Sequence, residues 1–281
     1  MVRNRARSGR TSGFSLFVIV CSVLVVLLAI QRQLHAETEL QSNIDASLLA
    51  LQGQDLSLPS VRFGLEILST PKHRQSAAQI ERMLRGTGDK SGTYTFFERS
   101  FGIYTMSAQA IDRRQHLVNT FLEGYEPFKV DNPALPLYVL ARRKSYESDR
   151  SQYPGRSEVW QSSRQAFFYP RGDCEDHAIL LADWLISMGE DARVVVGEMR
   201  GGGHAWVVLF KDGKEYLLEA TQKRGLSRNK AYPLALLFTD YRPKYMFNRE
   251  YFWEKTGTKF ITSYAGKSWK KKSRLRFGRG V

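Results

Sequence analysis

The sequence predicts an α+β fold, preceded by a membrane helix and a mainly helical N-terminal region. An uncharged apolar run covers residues 14–30. Apolar residues recur at three- and four-residue steps over residues 174–188, as they do on an amphipathic helix. Alternating runs at 204–210 and 215–221 flank a Lys-Asp-Gly-Lys sequence, which is typical of a β-hairpin turn. We therefore expect a helix packed on an antiparallel sheet.

The composition excludes several classes of protein. The chain has 281 residues, of which 42% are hydrophobic and 25% charged, so it can bury a core and is not wholly disordered. Its two cysteines exclude a disulfide-dense scaffold, and no CxxC pair suggests a structural zinc site. Most of the net charge of +14 lies in residues 1–13 and 267–281, which contain no acid. Because a nucleic-acid-binding domain usually spreads basic residues over a folded face, we expect no nucleic-acid partner.

Residues 14–31 are predicted to be a transmembrane anchor. The uncharged stretch has 17 residues, and a spanning helix needs roughly 17–25. Four arginines precede it and Arg32 alone follows closely, so residues 1–13 are expected in the cytoplasm and the rest of the chain outside it, in the periplasm or at the cell surface. A cleaved signal peptide is the alternative, but Leu34 stands where a small residue is expected before cleavage after Ala36. A buried soluble helix would leave the flanking charges unexplained. We favour an uncleaved, single-pass anchor.

Residues 37–150 are predicted to form a mainly helical region, which could be a docking region, a lid or a stalk. Apolar residues at helical spacing favour the helices, while many β-branched and aromatic residues favour a strand or hairpin at 93–105. The predicted helices cover residues 37–51, 76–85, 107–121 and 137–144.

Residues 151–265 are predicted to form the domain that carries the chemistry. Its helix over 174–188 is closed by Gly189. A strand over 193–199 then leads to a mobile glycine loop at 201–203, which lacks the signature of a phosphate loop.

The chain after the hairpin is rich in aromatic and basic residues. Residues 232–251 are predicted to be an extension packed on the core, and residues 260–264 an edge strand. Residues 266–281 are predicted to be a solvated basic tail, with contact to anionic lipid or an envelope polymer as the alternative.

Cys174 is the first candidate for reactivity. Cys21 lies in the apolar segment, so Cys174 is the only thiol in the part expected outside the cytoplasm. At the start of a helix, unpaired N–H groups and the helix dipole stabilise a thiolate. The neighbouring acids at 173, 175 and 176 oppose this effect. A basic partner is therefore needed to activate the sulfur.

The hairpin supplies an imidazole next to a carboxylate. A turn centred between Asp212 and Gly213 places Trp206 opposite Glu219. Because side chains alternate along a strand, His204, Trp206 and Glu219 then share one face. His204 and Glu219 are diagonal neighbours within reach of each other. A register slip of one residue would send one of them to the opposite face.

Together these residues match the logic of acyl transfer. Cys174 would attack a carbonyl, His204 would take its proton and return it to the leaving group, and Glu219 would orient the imidazole. The alternative is that His204 is a histidine packed under Trp206 and Glu219 a solvated acid, each simply part of its strand.

Other residues near Cys174 are weaker candidates for the same chemistry. His177, three residues along the helix, has no orienting carboxylate except adjacent acids, so we do not expect it to be the base. Asp176 is expected to stabilise the helix start. A metal site of Cys174, His177 and His204 would need acids to complete it. We expect no metal and no cofactor.

Three motifs carry a resemblance to a known family. GDCEDHAILLADWLISMG at 172–189, GGGHAWVVLF at 201–210 and YLLEAT at 216–221 resemble the transglutaminase-like superfamily, specifically its bacterial, papain-like members. The resemblance covers 60 to 70 residues and implies a papain/transglutaminase-like core with Cys174, His204 and Glu219 as its triad. The family acid is usually Asp, so Glu219 departs from the pattern.

The resemblance also extends weakly upstream, to Trp160 and Gln161. It implies that these two residues line the oxyanion site, and Trp206 is a third candidate for the cleft. Ordinary packing of a tryptophan is the alternative.

We therefore expect a membrane-anchored, extracytoplasmic cysteine enzyme that acts on amide bonds of a protein or peptide. Water as acceptor would give a peptidase or amidase, and an amine would give protein transamidation. Hydrolysis is favoured because water is always available. The alternative is a non-catalytic domain that binds peptides or proteins at the membrane.

Overall fold

A computed structural model describes residues 12–58, 63–88, 90–228, 232–258 and 263–277 of the chain. The chain divides into two compact units, Met1–Gln52 and Gly53–Val281. Most of the predicted basic N-terminus, and residues 260–262 of the predicted edge strand, lie outside the described residues.

The first unit contains one long helix, α1 (Ser12–Leu51), of 40 residues. The predicted anchor and the predicted helix over 37–51 are thus one continuous helix, which no proline interrupts. At 1.5 Å per residue the helix is about 60 Å long, twice the hydrocarbon thickness of a bilayer. Its segment Phe17–Leu51 is long and apolar enough to cross a membrane by length and composition.

The second unit begins with short strands and helices. Ser76 caps one of these helices with a reciprocal capping box and Gly86 closes it, so the helix predicted over 76–85 is confirmed. The hairpin predicted over 93–105 is also confirmed. The elements are β1 (Phe63–Ile67), β2 (His73–Gln75), α2 (Ala77–Arg85), β3 (Thr93–Glu98), β4 (Gly102–Gln109), β5 (Gln115–Leu117), a 3-10 turn (Val118–Phe121), α3 (Ala134–Arg143), β6 (Ser145–Tyr146) and α4 (Asp149–Gln152).

The prediction that residues 37–150 are mainly helical is wrong after α1, and so is the helix over 107–121. The chain continues β4 to Gln109 and then reverses at Arg113, which has a φ of 67°. The N–H of Arg114 donates to Asp112 Oδ1 at 2.9 Å and closes this turn. The apolar spacing that suggested a helix therefore belongs to two strands and a 3-10 turn.

The helix predicted over 137–144 is confirmed, but it starts earlier, at Ala134. Pro136 lies in its first turn, where the backbone N–H groups have no partner within the helix. Proline therefore does not delay the start of the helix.

The rest of the second unit carries the predicted nucleophile helix and hairpin. The elements are α5 (Ser163–Phe168), β7 (Arg171–Gly172), α6 (Cys174–Ser187), β8 (Asp191–Met199), β9 (Gly202–Lys211), β10 (Lys214–Leu218), 3-10 turns at Ala235–Leu237 and Gly266–Ser268, β11 (Tyr241–Phe247), β12 (Tyr251–Lys255) and β13 (Trp269–Phe277).

The main sheet has eight antiparallel strands in the order β10-β9-β8-β11-β12-β13-β1-β2. Strands β3-β4-β5 form a second sheet, and β6-β7 form a short parallel pair. Helix α6 packs on β8 and β9. Trp206 and Val208 of β9 lie in a core cluster with Met246 and Trp253, whereas Val207 and Leu209 alternate to the other face. The predicted α+β fold is confirmed.

The prediction of a solvated tail over 266–281 is wrong for residues 269–277. Strand β13 lies inside the sheet, between β12 and β1. Three of its basic side chains are paired with acids that are distant in sequence: Lys272 with Glu254 at 3.0 Å, Arg274 with Glu250 at 2.8 Å and Arg276 with Glu66 at 2.8 Å.

This sheet also changes the predicted domain boundaries. Strand β1 from the N-terminal region pairs with β13 from the C-terminal end, so the boundaries at 150 and 265 do not separate domains. The glycine loop at 201–203 is likewise smaller than predicted, because Gly202 and Gly203 already belong to β9 and only Arg200 and Gly201 form the turn. Ser263 and Tyr264, the described part of the predicted edge strand, are not in a strand.

Candidate active site

Cys174 is the first residue of α6, as predicted. Asp173 caps the helix through a reciprocal capping box with Asp176. Only glycine fits at 172, because a Cβ there would lie 2.4 Å from Asp176 Oδ2 and 2.6 Å from Lys144 Cε. The segment that leads into the cysteine is therefore held tightly from two sides.

The hairpin has the predicted register. Asp212 and Gly213 both have positive φ, 52° and 69°, as a two-residue type I′ turn requires. Leu218 pairs with Val207, and β10 ends there rather than at residue 221. The next residue, Glu219, accepts hydrogen bonds at Oε1 from the N–H of Thr221 at 3.0 Å and from its hydroxyl at 2.6 Å.

His204 and Glu219 are in contact, as the register predicted. Nε2 of His204 lies 2.8 Å from Oε2 of Glu219, and the hydroxyl of Tyr241 donates to the same oxygen at 2.7 Å. Burial alone would raise the pKa of Glu219, but the hydrogen bonds and the charge of His204 outweigh it and lower the pKa to about 2. The acid is therefore ionised at neutral pH.

Cys174 acts on the same imidazole. Burial lowers the pKa of His204, but hydrogen bonds with Cys174 and Glu219 outweigh it and raise the pKa to about 9. The sulfur is also 3.2 Å from Oε2 of Glu175. Only 10% of the His204 side chain is exposed, so the imidazolium is favoured by these neighbours and not by the burial of the ring.

The two tryptophans proposed for the cleft lie in the core instead. Trp160 is 1% exposed and Trp206 is fully buried. The indole N–H of Trp206 donates to the hydroxyl of Tyr264 at 3.0 Å, and its ring stacks on His204 at 6.0 Å. Trp206 therefore supports the imidazole from behind, and Trp160 packs in the core.

Gln161 does not offer a donor to an oxyanion either. Its buried side-chain amide donates to the Tyr153 hydroxyl at 3.1 Å and to the Arg171 carbonyl at 3.0 Å. Its carbonyl accepts from Lys144 Nζ at 2.8 Å. It belongs to a buried polar network beside Cys174.

His177 and Asp176 are both held by contacts at the start of α6. Nδ1 of His177 contacts the Asp173 carbonyl at 2.6 Å, and Nε2 contacts Lys223 Nζ at 2.9 Å. Burial and the nearby lysines lower the pKa of His177 to about 3, so it stays neutral. Asp176 accepts from the N–H of Gln161 at 2.7 Å as well as capping its helix.

Sequence reasoning missed Lys144. Its ammonium is buried and donates to Gln161, to the Arg171 carbonyl at 2.9 Å and to the Tyr169 carbonyl at 3.2 Å. Burial lowers its pKa to about 8. No sequence signal marks it, because a lysine at the end of a helix is usually solvated.

Sequence reasoning also missed a group of buried carboxylates around the start of α6. Asp149 Oδ1, Asp173 Oδ1 and Glu175 Oε1 are buried without a hydrogen-bond partner. Burial raises the pKa of Asp149 and of Asp173 to about 7. In the described residues, the groups with metal-ligand spacing involve Asp149, Glu158, Asp173, Cys174, Glu175 and Asp176, and none includes a histidine.

Comparison with known proteins gives partial matches. Residues 158–260 match the family model described as the CEP76 peptidase-like domain. The mouse (Mus musculus) centrosomal protein of 76 kDa is 42% identical over 55 residues, which are 19% of this chain and 8% of that protein. The chain therefore matches only a small part of the length of this relative.

Two solved structures show a distant likeness. Calcium-bound LapG of Legionella pneumophila is 19% identical, with a TM-score of 0.35 over 53% of this chain and 81% of that one. A protein described provisionally as a cysteine protease of Cytophaga hutchinsonii is 17% identical, with a TM-score of 0.28 over 52% of this chain and 51% of that one.

The resemblance predicted from the three motifs is confirmed by the family match, since the segment 158–260 contains all of them. This part of the chain is similar to a peptidase-like domain.

Proposed function

We propose that the chain is a membrane-anchored cysteine enzyme that cleaves or transfers amide bonds, with Cys174, His204 and Glu219 as its catalytic triad. The observation that supports this proposal best is the 2.8 Å contact between the imidazole of His204 and the carboxylate of Glu219, with Cys174 beside the same imidazole. Cys174 comes from the start of a helix, and His204 and Glu219 come from a hairpin in which they are 15 residues apart in sequence.

In the proposed mechanism His204 takes the proton of Cys174. Glu219 contacts Nε2, which leaves Nδ1 for the proton of Cys174. The pKa of His204, raised to about 9, favours the imidazolium at neutral pH. The thiolate then attacks the substrate carbonyl, and a carbon–sulfur bond forms as the carbonyl oxygen takes the negative charge.

The tetrahedral intermediate collapses when the carbon–nitrogen bond breaks. His204 gives its proton to the departing amine and leaves an acyl-enzyme on Cys174. Water, with His204 as general base, then releases a carboxylic acid, or a second amine forms a new amide. We favour hydrolysis, with a protein or peptide as the substrate.

The reactivity of the thiol tests the triad directly. A Cys21→Ser variant leaves Cys174 as the only cysteine, so the alkylation rate of the full chain in micelles reports on this residue. We expect iodoacetamide to alkylate Cys174 fast at neutral pH, well below the pKa of ~8.5 of a free thiol. We expect His204→Ala to abolish this fast alkylation. His73→Ala removes an exposed imidazole elsewhere and should change nothing.

A thiol that titrates near 8.5 regardless of His204 would contradict the catalytic proposal and favour the peptide-binding alternative. The substrate requires a second experiment. Mass spectrometry of envelope proteins, comparing wild type with a Cys174→Ala strain, would report both cleavage products and cross-links.

The proposed location follows from α1. We propose that residues 14–31 span the membrane once, with the basic N-terminus in the cytoplasm and the second unit in the periplasm or at the cell surface. Its support is the apolar, uncharged segment and the arginines that precede it.

The buried carboxylates fit a hard divalent cation. Carboxylate oxygens of Asp149, Asp173 and Asp176 lie within 4.8 Å of one another, and the Oδ1 atoms of Asp149 and Asp173 have no hydrogen-bond partner. Carboxylate oxygens are the ligand type that Ca²⁺ prefers. A bound cation would supply positive charge that offsets the acids beside the thiolate. We expect CaCl₂ to raise the unfolding temperature relative to EGTA in wild type and to do so less in Asp149→Asn.

A further inference from the structure

Tyr146 presents an exposed aromatic ring next to the nucleophile. The side chain lies on the two-residue strand β6, which pairs in parallel with β7. Its partner in this pairing is Gly172, two residues before Cys174. The residue is 56% exposed, although large aromatic side chains are usually buried.

The backbone and the ring of Tyr146 are both fixed. The N–H of Ser145 donates to the Pro170 carbonyl at 2.7 Å, and the N–H of Glu147 donates to the Gly172 carbonyl at 3.0 Å. One side of the ring stacks on His177, with centroids 6.5 Å apart and planes 28° from parallel. His177 is itself held at both ring nitrogens, so the tyrosine rests on a rigid support.

The position of this ring relative to the sulfur follows from the helix. Residues three apart on a helix are neighbours, so the ring that covers His177 lies beside Cys174. Burial and then the charge of Cys174 raise the pKa of Tyr146 to about 12, which agrees with this proximity and keeps the phenol neutral. The exposed part of the ring is therefore a flat, uncharged surface next to the reacting atom.

We propose that Tyr146 is a specificity-determining residue whose ring stacks on an aromatic side chain of the amide substrate next to the reacting carbonyl. The inference rests on the proposed function, because it assigns substrate contacts to the same site. Aromatic substrates fit this surface better than aliphatic or charged ones, since offset or edge-to-face ring pairs add attraction beyond the buried area.

Two alkylating agents test the proposal in the Cys21→Ser background. N-benzyl iodoacetamide and iodoacetamide share a reactive group, and their rates with glutathione correct for intrinsic reactivity. We expect Cys174 to prefer the benzyl reagent by about 2- to 10-fold, the range that ring pairs provide. Tyr146→Ala should remove this preference, and Tyr146→Phe should retain it. Phe97→Ala, which removes a 66% exposed ring from β3, is the matched control.

The outcomes separate the two levels of the proposal. Slow, unactivated alkylation by both reagents would contradict the triad, whatever their ratio. Activated alkylation without a benzyl preference, or a preference that survives in Tyr146→Ala, would overturn the role of Tyr146. Loss of the preference in Tyr146→Phe would also overturn it, because the hydroxyl and not the ring would then be responsible.

Discussion

Replacing Glu219 by glutamine removes the charge that holds the imidazolium and retains nearly the same shape. His204 has its pKa raised from its usual 6.5 to about 9, against the effect of burial. At 1.36 kcal/mol per pKa unit, this shift corresponds to about 3 kcal/mol that favours the protonated ring. Burial opposes this shift and Cys174 contributes to it, so about 3 kcal/mol is a net value that sets only the scale of the contribution from Glu219.

In Glu219→Gln burial remains, and the pKa of His204 should fall. Since ~1.4 kcal/mol is a factor of ten, alkylation of Cys174 at pH 7 should slow by about 10- to 100-fold, and the rise of its rate with pH should move to higher pH. The assay is the iodoacetamide rate in the Cys21→Ser background. The control is Glu198→Gln, which replaces an acid on β8 that is paired with Lys244 of β11. An unchanged rate and pH profile in Glu219→Gln would refute the orienting role of this residue.

Further expectations concern stability and location. Lys144→Met leaves the Tyr169 carbonyl and the Gln161 side-chain oxygen without this donor, and it leaves the Arg171 carbonyl with Gln161 alone. The free energy of unfolding should therefore fall by about 3 kcal/mol in urea titrations, whereas the exposed Lys214→Met should be neutral. Gly172→Ala places a methyl group 2.4 Å from Asp176 Oδ2 and should lower both stability and the alkylation rate of Cys174. The His204–Glu219 pair should stabilise the fold most between about pH 4.5 and 6.5. Its contribution should decline as the pH rises through 9, where His204 loses its proton, or falls through 2, where Glu219 gains one. Urea titrations of Glu219→Gln and wild type across this pH range would measure the contribution. The full chain should stay with membranes after a carbonate wash, and deletion of residues 14–31 should release it.

Local signals in the sequence were sufficient for the nucleophile helix and the hairpin. A turn residue pair such as Asp212-Gly213 sets the register, and the register places His204 and Glu219 on one face. The cap at Asp173 similarly sets where α6 begins. These features depend on residues within a short stretch of chain, which is why they could be read directly.

Features that depend on distant partners could not be predicted in this way. The lysines and arginines of β13 look like a solvated run until Glu66, Glu250 and Glu254 are brought opposite them. Lys144 and the carboxylate of Asp149 belong to the site for the same reason, since both come from outside the predicted catalytic domain. The resemblance implies that Trp160 and Gln161 line the site, but only the packing of the chain shows that both are buried.

The surroundings of Glu219 explain how a longer acid can occupy a place where the family that this chain resembles usually has aspartate. An added methylene would let the carboxylate swing away from the imidazole unless other groups hold it. Thr221 holds one carboxylate oxygen with two hydrogen bonds, and Tyr241 holds the oxygen that faces His204. Strand β10 ends just before this residue, so the backbone can turn and shorten the reach. The extra length is therefore taken up by the end of the strand and by two fixed hydroxyl groups, and the acid still reaches the imidazole at 2.8 Å.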